Sequence, residues 1–141
     1  MLSQFKNNFA KVTKAKVLNI EGFDWFCTNK NGQGVILSTD NKGCAPTPPD
    51  SLMMSLGACA ADSLKFLLEK HGKMVKNIIT NIEADWEISP KRRISEFRLN
   101  FLVDTDDTSQ ELLDQLTSQV ETKMCTVAQT LQCAPVVKRI D

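Results

Sequence analysis

Residues 44–64, CAPTPPDSLMMSLGACAADSL, place a proline-rich turn directly before a run that is apolar on nearly every side. Pro48 and Pro49 have a fixed φ and no backbone N–H, so they suit the opening turn of a helix and little else. Asp50 follows, and a carboxylate there complements the positive end of the helix dipole. The spacing predicts a helix from about Asp50 to Lys70, with His71-Gly72 as its C-terminal stop. Leu52, Met53, Leu56, Ala60, Leu64, Leu67 and Leu68 form one helical stripe, while Met54, Ala58, Ala61 and Phe66 lie off it. A helix apolar around most of its circumference is buried on several sides. Ser55, Gly57, Ala58, Ala60 and Ala61 are small and let another element approach closely. The helix is therefore expected at the centre of the molecule, and Cys59 stands at its middle.

Outward from this helix, the first forty residues read as strands: AKVTKAKVL, FDWFC and GVILST, the last two joined by the turn signal NKNGQG. Asn31-Gly32 favours a hairpin. After the helix, Ile78, Thr80, Ile82, Ala84, Trp86 and Ile88 alternate with mostly polar residues. Phe97, Leu99, Phe101 and Val103 do the same beyond the turn SPKRR, so both runs predict half-buried strands. Thr108 to Glu111 resembles a capping box. It opens a helix with Leu112, Leu113, Leu116, Val120 and Met124 on one stripe. TVAQTLQ predicts a further helical turn or two, and APVVKRI a closing strand. Strands segregate from helices, which points to α+β in a single domain over residues 1–141.

Lys plus Arg and Asp plus Glu each total 17, a balance that argues against a nucleic-acid binder. The N-terminal MLSQFKNNFAKVTKAK has no signal-peptide pattern, and the most apolar stretch, Leu52 to Ala61, is short for a bilayer span. A soluble, cytoplasmic protein without membrane partners is expected. The cysteines are five (Cys27, Cys44, Cys59, Cys125 and Cys133), an odd number that speaks against a disulfide framework in such a compartment. No C-x-x-C occurs and His71 is the only histidine, so no metal or other bound cofactor is expected.

Two of the cysteines occupy unusual settings. Cys59 lies inside the apolar helix; Cys125 sits where one helix gives way to another, two residues after Lys123. A helix beginning near Cys125 would offer its sulfur free N–H groups. Free cysteine also packs as a small hydrophobe, and 66 residues separate the two. On their own the residues leave packing and redox chemistry both open.

APTPPDSLMMSLGACAADSLKFLLEK resembles the long-helix signature of the OsmC/Ohr family, the osmotically inducible and organic-hydroperoxide-resistance proteins. ETKMCTVAQTL resembles that family's second signature, and NIEGFDWFCTNKNGQGVILSTD the N-terminal hairpin of its YhfA-like branch. The resemblance implies an OsmC-like fold, antiparallel sheets wrapped around a long central helix, in an intertwined homodimer. It further implies a thiol-dependent peroxidase acting on small organic hydroperoxides, with Cys59 peroxidatic, Cys125 resolving and Asp50 an orienting carboxylate. An external dithiol would restore the pair.

The chain departs from that pattern at two points. Asp50 is one methylene shorter than the family's glutamate and one residue nearer the cysteine. No arginine precedes Arg92; Lys14 and Lys16 occupy the corresponding region, but lysine lacks the planar fork of guanidinium. Arg92 and Arg93 fall in a turn. His71 reads as a helix cap; Trp25 and Trp86 read as core or pocket wall; Cys27, Cys44 and Cys133 read as packing or loop residues. The departures keep a second reading open, a non-catalytic dimer that binds an apolar small molecule or senses oxidation. Peptidase and metal-hydrolase chemistry lack the residue sets they require.

Overall fold

Thr47 starts the long helix. In the computed structural model, which describes residues 13–40 and 42–139, helix α1 spans Pro48–Lys70. The Asp50 carboxylate accepts from the Thr47 N–H at 3.0 Å and from the Thr47 hydroxyl at 2.6 Å, while the Asp50 N–H donates to Thr47 Oγ1 at 3.3 Å. This reciprocal arrangement satisfies N–H groups that have no helical acceptor. At the far end Gly72 takes φ 74°, its N–H reaches Glu69 O, and the Lys73 N–H reaches Leu68 O. That is a Schellman stop. His71 reinforces it, with Nδ1 2.8 Å from Leu67 O.

The contacts gather into two compact units, Met1–Ser51 and Leu52–Asp141. In the first, β1 (Ala15–Glu21), β2 (Asp24–Asn29) and β3 (Gly34–Ser38) form an antiparallel sheet in the order β1-β2-β3. Strand β1 begins later than AKVTKAKVL suggests, and residues 10–12 of that run lie outside the described residues. Gly22 and Gly32, at φ 51° and 78°, make the two turns.

In the second unit β4 (Val75–Glu87) and β5 (Arg93–Thr105) pair antiparallel. Helix α2 (Gln110–Gln119) continues into a π-helical turn, Val120–Met124, and then α3, Thr126–Gln132. The α+β class stands, with two antiparallel sheets and a long central helix. Leu56, Ala60, Leu64, Leu67 and Leu68 of α1 bury against Leu116, Val120 and Cys125; Ile78, Phe97, Leu99, Phe101 and Val103 of the sheet pack around them. Fully burying one such leucine contributes about 1.5–3 kcal/mol. At 23 residues α1 is long and apolar enough to cross a bilayer by length and composition, so the shortness of Leu52–Ala61 is not what argues against a span. The packing of its leucines into this core is.

Three local expectations change. The α2 cap is Ser109, whose Oγ accepts from the Leu112 N–H at 3.2 Å; Thr108 instead donates to Asp106 O. The register of β4 against β5 shifts between Asp85 and Trp86, where Ser95 is the extra residue on β5, and Trp86 keeps its alternation opposite Ile94. Trp86 is nonetheless 41% exposed, because it stands one residue from the end of β4, past the core. Residues 134–139 carry no strand, and Val137 is 94% exposed. A β-prone composition makes a strand only where an edge is available to pair with.

Candidate functional site

Cys59 and Cys125 belong to the same part of the core. Cys59 is half-buried on α1 and packs against the core cluster to which Cys125 belongs. Cys125 is 0% exposed. Its thiol is pushed up from the ordinary value chiefly by burial, and further by the nearby Cys59; the Ala128 and Val127 N–H groups offset part of this. Desolvation disfavours the thiolate, and a second sulfur beside it does so again once charged.

Cys125 is held by the backbone around it. Its own N–H spans five residues to Val120 O at 3.1 Å, closing the π-helical turn. At φ −74° and ψ 110° it then leaves helical geometry and becomes the N-cap of α3, its Sγ accepting from the Ala128 N–H at 3.4 Å. The expectation of a helix beginning at this cysteine is met. Cys59 is fixed differently. Gly57, two residues earlier, lies so close to β4 that an added Cβ would come within 2.4 Å of Ile82 Cδ1. That approach sets how deep this part of α1 sits.

The third expected residue, Asp50, is committed to the start of α1. Thr47 donates to its carboxylate through both hydroxyl and amide, which holds the carboxyl below the usual range. Lys14 and Lys16 are exposed, Lys16 opposite Thr28 in the first sheet. The three arginines of the β4–β5 region are engaged elsewhere. The Arg92 guanidinium stacks 5.3 Å from the Trp86 ring centre. Arg93 pairs with Glu87 at 2.7 Å, and Arg98 bridges Glu83, Asp85 and Glu96 on the outer face of the sheet.

An open pocket of about 280 Å³ lies along α1 beyond Cys59, lined by Asp62, Ser63, Lys65, Phe66, Glu69 and Met124. Ser63 donates to the Cys59 carbonyl at 2.9 Å, and Met124 immediately precedes Cys125. Its lining is mixed, apolar at Phe66 and Met124 and charged at its rim. The remaining cysteines stand apart: Cys27 is half-buried on β2, Cys44 is exposed, and Cys133 is exposed as the C-cap of α3. All five are free thiols. Reasoning from sequence missed Gln129 and Gln132, whose side-chain amides both reach the carbonyl of Glu121 in the π-helical turn. Their positions four and seven after Cys125 carry no recognisable motif.

The family model for OsmC-like proteins matches residues 39–139. Protein YhfA of Escherichia coli K12 is 22% identical over 121 residues, covering 86% of this chain and 90% of that protein. An OsmC-like protein from Mycoplasma pneumoniae superposes with a TM-score of 0.77 at 15% identity, covering 89% and 90% of the two chains. The organic hydroperoxide resistance protein OhrB of Bacillus subtilis superposes with a TM-score of 0.62 at 14% identity, covering 88% and 93%. With that model matching residues 39–139, more than half of its length, the chain belongs to the OsmC-like protein family.

Proposed function

We propose that this protein is a thiol-dependent reductase of organic hydroperoxides, working in oxidative stress defence through Cys59 and Cys125. The observation that carries the reading is the half-buried thiol of Cys59 beside the buried, hydrogen-bonded thiol of Cys125. The Cys59 thiolate attacks the terminal oxygen of ROOH, the O–O bond breaks, and the departing alkoxide takes a proton from water to leave as ROH. Cys59 is then a sulfenic acid. The Cys125 sulfur attacks it, the S–O bond breaks, and the Cys125 proton leaves with the hydroxyl as water. The resulting disulfide is reduced by an external dithiol, itself oxidised to a disulfide. The raised position of the Cys125 thiol suits this division of labour, because a thiol that stays protonated leaves the first attack to its neighbour.

Asp50 belongs to the proposal as an orienting carboxylate. An ionised carboxylate has about four lone-pair sites, so the two Thr47 bonds leave room for a cation brought to it. A homodimer is part of the same reading. Met54 and Phe66, on the side of α1 away from its own core, are 59% and 54% exposed, and a second copy of the chain would cover them. Free thiols throughout suit a reducing compartment such as the cytoplasm.

Turnover of tert-butyl hydroperoxide with dithiothreitol or dihydrolipoamide tests the proposal. Cys59→Ser abolishes it, while Cys125→Ser allows one oxidation of Cys59 and then stalls. Equal inactivity of the wild type and Cys59→Ser would end the peroxidase reading. The engagement of Arg92, Arg93 and Arg98 elsewhere favours one alternative, a non-catalytic dimer that binds an apolar small molecule or records oxidation once. Stoichiometric oxidation of Cys59 without turnover would select it.

A further inference from the structure

The π-helical turn changes which carbonyl each amide meets. In an uninterrupted α-helix the Cys125 N–H would bond the Glu121 carbonyl, four residues back. Here it bonds Val120 O at 3.1 Å, so the Glu121 carbonyl loses its helical donor. Two side chains replace it: Gln129 Nε2 and Gln132 Nε2 each donate to Glu121 O at 3.0 Å. Both glutamines belong to α3, the helix whose first turn is capped by the Cys125 sulfur through the Ala128 N–H. Helix α3 is therefore fastened twice, at its start to the sulfur and along its length to a carbonyl four residues before that sulfur.

We propose that Gln129 and Gln132 are positioning residues that hold the π-helical turn wound and aim the Cys125 sulfur at Cys59. The physical need arises when the two sulfurs join, and to that extent the inference rests on the redox reading above. Joining them requires Sγ atoms about 2.05 Å apart. A shift of Cys125 Sγ toward Cys59 would loosen its 3.4 Å bond from the Ala128 N–H, the side-chain cap of α3. The glutamine amides keep α3 docked while the cap is released, so the sulfur moves alone instead of dragging a fraying helix. Gln129 is half-buried and Gln132 exposed. Both bonds are 3.0 Å long, and the half-buried Gln129 side chain has less freedom to leave its bond than the exposed Gln132.

The test uses the full chain and the variants Gln129→Leu and Gln129→Leu/Gln132→Leu, which keep bulk but remove the donors. Diamide is the oxidant: its N=N bond takes two electrons and two protons from the thiols, giving a hydrazine and the Cys59–Cys125 disulfide. The disulfide is followed by peptide mass in rapidly quenched samples. Loss of one or two neutral hydrogen bonds is expected to slow disulfide formation on the order of tenfold in the double variant. Iodoacetamide labelling of Cys59, which needs no second sulfur, stays within about twofold of wild type. Should the double variant fail to fold, Gln129→Leu alone decides, with a smaller slowing of the same kind. Disulfide formation within about twofold of wild type in the folded variants overturns the inference, and so does a wild type that forms no disulfide with diamide. A parallel series with tert-butyl hydroperoxide separates the two ideas. If diamide shows the slowing and peroxide oxidises nothing, the peroxidase reading falls and the positioning role stands.

Discussion

Gly57→Ala tests the packing that sets the depth of Cys59. In the interior of a helix, alanine is favoured over glycine by about 0.8–1.0 kcal/mol. Against that gain, the new Cβ would sit 2.4 Å from Ile82 Cδ1, 3.4 Å from Ile82 Cγ1 and 3.9 Å from Thr80 Cγ2. Only the first distance is prohibitive, and it involves the end of one side chain. Overpacking of this kind costs about 1–3 kcal/mol, so the single variant is expected to be destabilised by about 0–2 kcal/mol after the helix gain. Ile82→Val removes Cδ1 at a cost of about 0.5–1.5 kcal/mol, and it leaves Cγ1 and Thr80 at ordinary contact distance. In that background the same Gly57→Ala change becomes stabilising by about 0.5–1 kcal/mol. The cycle should therefore close with a coupling of about 1–3 kcal/mol. Urea unfolding at one fixed protein concentration measures all four forms. If alanine stabilises the protein equally with isoleucine or valine at position 82, with coupling below about 0.5 kcal/mol, then α1 does not rest on β4 at this depth. The account of how Cys59 is placed would fail with it.

Under native conditions Cys125 should alkylate with a pH midpoint above that of an ordinary thiol, near 8.5. Cys59→Ser should lower the midpoint only part of the way, because burial is the larger cause. The folded thiol is raised, so its contribution to stability is whole below the unfolded value and is lost as pH rises through the folded one. Unfolding midpoints measured across alkaline pH should show the loss in wild type and not in Cys125→Ala. Thr47→Ala should cost about 1 kcal/mol at pH 7. Asp50 has a lowered carboxyl, so its share is present above the unfolded value near 3.9 and disappears as pH falls through the folded one. Asp50→Asn should thus differ from wild type at pH 7 and converge with it in acid. Gly72→Ala should cost about 1–2 kcal/mol purely for φ 74°, since no atom lies within 4 Å of the added methyl. Gly72→Asn, which tolerates this conformation better, should cost less in the same thermal melts.

The parts of the molecule that were legible in advance obey local rules. Leu56, Ala60, Leu64, Leu67 and Leu68 recur at helical spacing, and Pro48 and Gly72 mark the ends of α1 within two residues. Phe97, Leu99, Phe101 and Val103 alternate as a half-buried strand must. The failures also have local causes with distant deciders. Thr108 and Ser109 are both competent caps, and the chain direction entering α2 chose between them. Trp86 continued the alternation of β4 but fell at the strand's end, past the core, and Val136 and Val137 had strand composition without strand pairing.

What the chain's order of residues determined alone was periodicity, capping and the two thiol-bearing signatures, because each is a relation among residues a few positions apart. The packing of Cys59 against the core cluster that holds Cys125, 66 residues away, the π-helical turn that shifts Cys125 to Val120, and the transfer of the Glu121 carbonyl to Gln129 and Gln132 were decided only by tertiary packing. A hydrogen bond or a sulfur contact between remote segments depends on which faces the core has already turned toward each other, and no spacing along the chain encodes that.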